Sequence, residues 1–429
     1  MLVFCTLFDS NYLDKGLMMY RSLVATGCNF KMYVLAMDEK CKEVLDAYSY
    51  ENQIVISCDN FCEEMGLSEI RKTRKRGEFC WTCTSYLIDY VLTKYGEQIC
   101  TYVDSDLCFY SNPQCLIDEM GDKTVQIVPH RYNSTIQGYL LSLGSGTYCV
   151  QFNTFKNTRD AMDLLHWWED RCLESCANTS LKNDGVFGDQ GYLEHWGEKD
   201  NVEVLKNLGG GVAPWNLMQY SLCDSSCASN NKDKRFREDS EAGSGGSEGR
   251  KVSEANVSDF SNNFSNSSSN SSNDIENNDN AEDVLDNTSA TKTTKTTKTT
   301  DNQRNIVLKE KRTGKQFNLI FYHFHNLTYH SAHEANANVS EVWNADMKLI
   351  ELLYREYLIK VNEIKEELKE RFDVYPLLTS HPGITALKKR SILYRIRGLM
   401  DRLFVLRIYS LILERMHRHE RIKKTALTF

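Results

Sequence analysis

The sequence predicts an α/β fold, a parallel sheet covered by helices with a helical extension at its C-terminal end. Three observations predict it. Short apolar runs of strand type alternate with segments of helical apolar spacing through the first hundred residues. Carboxylates recur where those runs end, and beyond residue 336 the pattern turns to long helical periodicity. With 429 residues, 41% of them hydrophobic and 11% aromatic, the chain has material for a large core and for about two or three domains.

Taken in order, "LVFCTLF" reads as strand, and "DSNYLDKGLMMYRSLVATG" turns from it into a helix with Leu17, Tyr20 and Leu23 on one face. "KMYVLAMD" reads as strand, "EKCKEVLDAYS" as helix and "QIVISC" as strand. This βαβαβ alternation is what predicts parallel strands with crossovers of one hand. A longer helix, "WTCTSYLIDYVLTKYG", leads into the strand "ICTYVDSDLCFY". In open α/β sheets ligands collect beyond the carboxyl ends of strands, where Asp9 and the pair Asp104 and Asp106 both fall.

From 224 to 305 the composition changes to Ser, Asn and Thr tracts such as "SNNFSNSSSNSSNDIENNDN" and "TKTTKTTKTTD". Ordering such a segment costs backbone entropy and buries nothing in return, so it reads as a disordered insertion in a surface loop. The stretch "FNLIFYHFHNL" restores order within 306–335 and ends in a His pair. Residues 336–429 form a helical tail whose last part, 383–429, carries twelve Lys and Arg against three Asp and Glu, interleaved with apolar residues. A basic amphipathic helix of that kind can lie on an anionic membrane surface, or pack on the main domain with a solvated basic face.

Composition narrows the classes. A net charge of -8 gives no general reason to expect nucleic acid, which needs a clustered basic face. The N-terminal "MLVFCTLFDSNYL" lacks a basic n-region and meets Asp9 early, unlike a secretion signal, and no run of 18 apolar residues marks a membrane span. The fifteen cysteines are therefore expected reduced, in a cytoplasmic protein. "CWTC", Cys80 to Cys83, has redox or zinc spacing, but no second pair follows at ribbon spacing and buried core thiols are the simpler reading. The Trp pair in "LLHWWED" reads as helix packing.

"TYVDSDLCFY" sets two carboxylates one residue apart inside a strand-like run, so alternation would aim Asp104 and Asp106 to one side. Like charges that close need water, a hydrogen-bond network or a cation. A divalent metal is the arrangement that also does chemistry, and a solvated strand end is the alternative.

Six segments, in this order, resemble those of GT-A-fold glycosyltransferases, most closely the family 8 type and related bacterial glycan-assembly enzymes: "TLFDSNYL", "YVDSDLCFY", "QFNTF", "FGDQGYL", "GGGVAPWN" and "YHFHN". They span about residues 1 to 330 with the insertion removed. The resemblance implies a mixed, Rossmann-like sheet flanked by helices and a nucleotide diphosphate sugar donor, most simply a uridine diphosphate sugar. Breaking the bond to the diphosphate builds negative charge on the leaving group, which a metal held by the Asp-x-Asp stabilises. It implies Asp104, Asp106 and His323 as metal ligands, with His325 as the alternative to His323. Oxygen ligands joined by one imidazole suit Mn²⁺ somewhat better than Mg²⁺.

By the same resemblance Thr6, Asp9 and Asn11 line the nucleoside, although Asp9 and Asn11 would serve equally as a plain helix cap. Arg76, in the cluster "RKTRKR", is the candidate cation for the diphosphate, against a solvated charge run. Asn153 of "QFNTF" would face the donor sugar. Asp189 would bind sugar hydroxyls or act as base, and Gln190 would contact the anomeric face. The chain departs from the family after "HFHN", where Asn326 and "LTYHSAH" replace the usual Gly and Lys-Pro-Trp, and "FNTF" stands for the usual Asn-Ser-Gly. The acceptor implied is a glycan or a lipid-linked glycan, reached at the inner membrane face if the basic tail binds lipid.

Two rival functions use the same residues. A haloacid dehalogenase-type phosphatase would take Asp104 as nucleophile, Asp106 as its partner, Lys182 as cation and "GDQGYLE" as the last acidic element, but it leaves Asp9 and the His pair without a role. A non-catalytic protein would use the acidic pair for a structural cation and the basic tail for recruitment to membranes.

Overall fold

In a computed structural model the described residues are 1–134, 136–177, 187–223, 305–331, 334–337 and 346–375. The strands β1 (Leu2–Phe8), β2 (Phe30–Ala36), β3 (Gln53–Ser57) and β4 (Ile99–Val103) alternate with helices α1 (Leu13–Ala25), α2 (Glu39–Tyr48), α3 (Cys58–Glu64), α4 (Ser68–Thr73) and α5 (Arg76–Lys94). There follow β5 (Leu107–Phe109), α6 (Gln114–Asp118), β6 (Val125–Pro129), α7 (Ile136–Ser145), β7 (Tyr148–Lys156), α8 (Arg159–Glu174) and β8 (Val202–Val204). The chain continues through β9 (Tyr220–Leu222), β10 (Val307–Glu310), β11 (Gln316–Asn318), β12 (Phe321–His323) and α9 (Met347–Phe372).

Seven strands form the main sheet in the order β3-β2-β1-β4-β7-β6-β8. β1, β2, β3 and β4 run parallel, as the alternation of their segments requires. The sheet is mixed, as the resemblance implies, because β7 enters between β4 and β6 antiparallel to both. Strand-type composition carries no information on direction, which is why the alternation of the first elements did not extend to this half. Helices cover both faces. One core layer joins α1, α2 and α9 to the sheet through Phe4, Leu17, Met19, Val44, Phe152 and Tyr357. The other joins α3, α5 and α8 through Cys5, Leu35, Phe61, Leu87, Phe155 and Trp168.

β5 leaves the main sheet and pairs antiparallel with β12, Leu107 opposite His323. This two-stranded ribbon brings residues more than two hundred positions apart to the carboxyl end of β4. β9 and β10 flank the 224–305 segment and pair antiparallel, Leu222 opposite Leu308. The ladder holds together the described residues on either side of that segment. The predicted disordered insertion and the basic stretch 383–429 lie outside the described residues. The described residues belong to one unit, Met1–Asp224 with Asn302–Phe429.

The first described part of the predicted tail is α9, which buries Leu349, Leu353, Tyr357, Val361, Ile364 and Leu368 against that unit. Its apolar face meets the core, with Tyr357 stacked on Phe324 at 3.7 Å between ring centroids. Among the described residues no helix is long and apolar enough to cross a membrane. The described cysteines are all free thiols, most of them buried, including Cys83 of "CWTC".

Candidate functional site

A cleft of about 530 Å³ opens at the carboxyl ends of β1 and β4. Asp104 and Asp106 stand on its wall, but not as alternating residues of one strand. β4 ends at Val103, Leu107 N–H donates to Asp104 C=O at 3.3 Å, and β5 begins beyond that turn. Asp and Ser favour turns because their side chains compete for backbone groups, and the turn gives the chain its change of sheet. The carboxylates converge through the imidazole facing them: His323 Nε2 lies 2.9 Å from Asp106 Oδ1 and 3.7 Å from Asp104 Oδ2.

His323 is held from three directions. Its backbone N–H donates to Val212 C=O at 2.9 Å, the next residue's N–H donates to Asp106 C=O at 2.9 Å, and its Nδ1 meets Gln151 Oε1 at 2.9 Å. Gln151 offers only an acceptor there, so Nδ1 carries the proton and Nε2 is the atom turned to the acids. Burial works against charge in all three groups, yet the outcome differs among them. It pushes Asp104 up to about 7, with Asp106 adding to the rise and His323 opposing it. For Asp106 burial is outweighed by the charge and hydrogen bond of His323, which hold its carboxyl well below the usual range. The same pairing raises His323 above its ordinary value in spite of its burial.

His325 completes the group. One ligand atom each from Asp106, His323 and His325 lie within 4.8 Å of one another. The more solvent-open His325 is pushed down to about 4 by desolvation and then by the His323 charge. The indole of Trp215 stands edge-on to both imidazoles, 5.3 Å between centroids, and donates its Nε1–H to His130 C=O at 3.0 Å. Two imidazoles and a carboxylate, with a second carboxylate adjacent, are a donor set that fits Mn²⁺ or another first-row divalent ion better than an all-oxygen Mg²⁺ shell.

At the far end of the cleft Asp9 caps the turn Ser10–Tyr12 by accepting from Asn11 N–H at 2.9 Å, and it ion-pairs with Arg76. Burial raises the Asp9 pKa, partly offset by that guanidinium. Arg76 also reaches Asp38 Oδ2 at 3.3 Å. In the amide orientation that satisfies both its ends, Asn11 accepts from Arg76 Nη1 at 2.7 Å. Asp9 and Arg76 therefore line the cleft while Asn11 braces Arg76 from outside it. The helix-cap reading and the cleft reading of Asp9 coexist.

Asp189 and Gln190 also line the cleft. Gly188 holds φ at +56°, and a Cβ there would sit 3.2 Å from the Trp81 ring, so the backbone must approach that ring as glycine. Trp168 Nε1–H donates to Asp189 C=O at 3.0 Å, and Gln190 Nε2 donates to Ser145 C=O at 2.6 Å. Burial first, then Cys176 and Asp104, raises the Asp189 carboxyl well above the ordinary range. Thr6 and Asn153 do not line the cleft. Both are fully buried, Thr6 within β1 and Asn153 within β7 opposite Tyr102. Lys182 lies outside the described residues.

No family model matches the chain. It is 29% identical over 227 residues to the uncharacterized protein YfnF of Bacillus subtilis, covering 51% of this chain and 73% of that one. Among solved structures it is similar to the galactosyltransferase LgtC in complex with donor and acceptor sugar analogues, at 15% identity and a TM-score of 0.36, covering 50% of this chain and 77% of LgtC. It is likewise similar to mouse xyloside xylosyltransferase 1, at 12% identity and a TM-score of 0.35, covering 50% and 87% of the two chains.

Several cleft residues carried no signal in the sequence. Trp81, Tyr102, His130 and Tyr132 line it beside Trp215, yet single aromatics in helices and strands look like core. Trp215 stood inside the quoted "GGGVAPWN" and could have been found there. Trp168, read as packing alone, also fixes the backbone of Asp189. Buried Lys15, whose Nζ donates to Leu327 C=O at 3.0 Å, adds positive potential behind Asp106.

Proposed function

We propose that the protein is a divalent-metal-dependent glycosyltransferase of the GT-A type, moving a sugar from a nucleoside diphosphate sugar, most simply a uridine diphosphate sugar, to a hydroxyl of a glycan or lipid-linked acceptor. The observation that carries this is the meeting of His323 with Asp104 and Asp106 inside a cleft of about 530 Å³. Asp104, Asp106 and His323 would hold a Mn²⁺ or Mg²⁺ ion, with His325 in reach. Such an ion, when bound, neutralises charge developing on a departing diphosphate.

The chain's own residues supply the remainder. Asp9 at the end of β1 accepts hydrogen bonds from the nucleoside, and Arg76, steered by Asp9, Asp38 and Asn11, offers its guanidinium to the phosphates. This pairing stands in for the lysine motif missing after "HFHN". Asp189, whose carboxyl burial pushes up, binds a sugar hydroxyl, and Gln190 contacts the face of the transferring carbon. The rings of Trp81, Tyr102, Tyr132 and Trp215 give flat apolar surfaces for the C–H faces of sugars. The acceptor hydroxyl oxygen gains the anomeric carbon, the diphosphate departs with the electron pair of the broken C–O bond, and the hydroxyl proton passes to that diphosphate. Thr6 and Asn153 support the sheet beneath the donor. A cytoplasmic site of action, at the inner membrane face for a lipid-linked acceptor, belongs to the same reading.

Turnover of a panel of nucleotide sugars with Mn²⁺ tests it. The expected result is slow, metal-dependent release of nucleoside diphosphate from one donor without acceptor, lost in Asp106→Asn. A preference for simple phosphate esters, or no release from any donor, sinks it.

A further inference from the structure

A second cluster lies outside the cleft, where α5 packs on α8. His166 and Glu169 stand three residues apart on α8 and so share a face, and Asp89 of α5 meets them. One ligand atom from each lies within 4.8 Å of the others, with His166 Nε2 3.8 Å from Asp89 Oδ1. Asp89 is 9% exposed and Glu169 7%. Each turns a fully buried carboxylate oxygen, Asp89 Oδ1 and Glu169 Oε1, into the cluster with no hydrogen-bond donor on it. His166 is half exposed and gives the cluster its opening to solvent.

Two buried carboxylates facing one another without donors are an arrangement that folding disfavours unless a proton or a metal cation joins them. The imidazole at 3.8 Å is too far to satisfy Asp89 Oδ1 by a hydrogen bond. We propose that Asp89, His166 and Glu169 form a second metal site, of the zinc class, that staples α5 to α8, with solvent as the fourth ligand. Zinc takes carboxylate and imidazole ligands at about 2.0–2.2 Å in a tetrahedron, which sets ligand atoms roughly 3.4 Å apart, so a small rotation of these side chains closes the shell. α5 carries Arg76, Trp81 and Thr84 of the cleft wall, and α8 holds the Asp189 backbone through Trp168. The staple therefore fixes α5 relative to the Asp189 backbone without touching the site itself. It stands independently of the function proposed above, since it uses none of the cleft's residues.

Full-length protein stripped with a chelator and dialysed against micromolar Zn²⁺ tests the proposal by metal analysis, compared with His166→Ala and Glu169→Gln. His166 is exposed enough for its replacement to leave the fold intact. The expected result is one zinc equivalent fewer in each variant, with at least a tenfold weaker affinity for that equivalent and loss of its share of the zinc-induced rise in Tm. Co²⁺ in place of zinc should give the intense visible bands of a tetrahedral site in wild type, reduced in His166→Ala. Equal stoichiometry, equal rise in Tm and equal Co²⁺ bands in wild type and both variants would overturn it.

Discussion

Gln151 does not itself line the cleft, yet its Oε1 fixes which nitrogen of His323 faces the acids. Partners of this kind orient a ligand and raise its basicity, and losing one lowers metal affinity by about 10–100-fold. Gln151→Leu, of similar volume, is expected to weaken Mn²⁺ binding by about that factor while leaving the fold in place, as Mn²⁺ paramagnetic resonance would read; unchanged affinity would contradict the role given to it. At this scale much of the site was readable in advance. Asp9, Asp104, Asp106, His323 and Asp189 all line one cleft, because acids at strand ends and a His on a short strand are conspicuous against apolar surroundings. What spacing could not show was the turn at Asp104, Ser105 and Asp106, since it depends on β5 leaving the sheet for a strand more than two hundred residues away. Nor could it show that Asn153 is fully buried in β7 opposite Tyr102, because which neighbours cover a strand is set by the sheet order.

The connection from α8 to Asp189 is where single elements set the geometry. A side chain at position 188 meets both a left-handed backbone and the Trp81 ring. Gly188→Ala is expected to cost about 1–2 kcal/mol in stability and to lower kcat far more than the small loss of folded protein explains, because Asp189 is displaced. Trp168→Phe keeps the packing on Phe155 and Trp196 but loses the hydrogen bond to the Asp189 carbonyl. It should lower kcat with little effect on donor binding; a fall confined to KM would argue that Trp168 only packs. The elements themselves were legible from the period of their apolar residues, β1 to β4 and α1, α2, α5 and α9 among them. The direction of β7 was not, since no residue pattern distinguishes a strand running up from one running down.

Over the whole molecule, α9 joins the end of the described chain to its beginning. It packs on α1, ion-pairs Glu367 with Arg21 at 2.7 Å, and sets Tyr354 and Tyr357 against the β12 segment that carries the His pair. Tyr357→Ala, emptying a fully buried position, is expected to cost about 3–5 kcal/mol, measured by denaturant unfolding; a cost below 1 kcal/mol would mean that α9 is not part of the core. Lys365 of α9 is buried over the Tyr329 ring at 3.1 Å, near Asp14 and Lys15. Burial above all, and Lys15 next, push it down to about 8, with Asp14 opposing. In the unfolded chain it titrates near 10.4, so between about pH 8 and 10.4 the unfolded state holds more protons and stability rises with pH. Wild type should therefore gain in Tm relative to Lys365→Met across that window, with a flat difference below it. A difference that does not change with pH would refute the shift. Helical periodicity announced α9, but it could not say which surface the apolar face of that helix would meet.

The central claim is that neighbouring acids and a distant imidazole hold a divalent ion for a nucleoside diphosphate. Calorimetric titration with uridine diphosphate, with and without Mn²⁺, on wild type and His323→Ala tests it most directly. The account predicts binding that requires Mn²⁺ in wild type and falls at least tenfold in the variant. Binding of equal strength without the metal, or undiminished in His323→Ala, would contradict it.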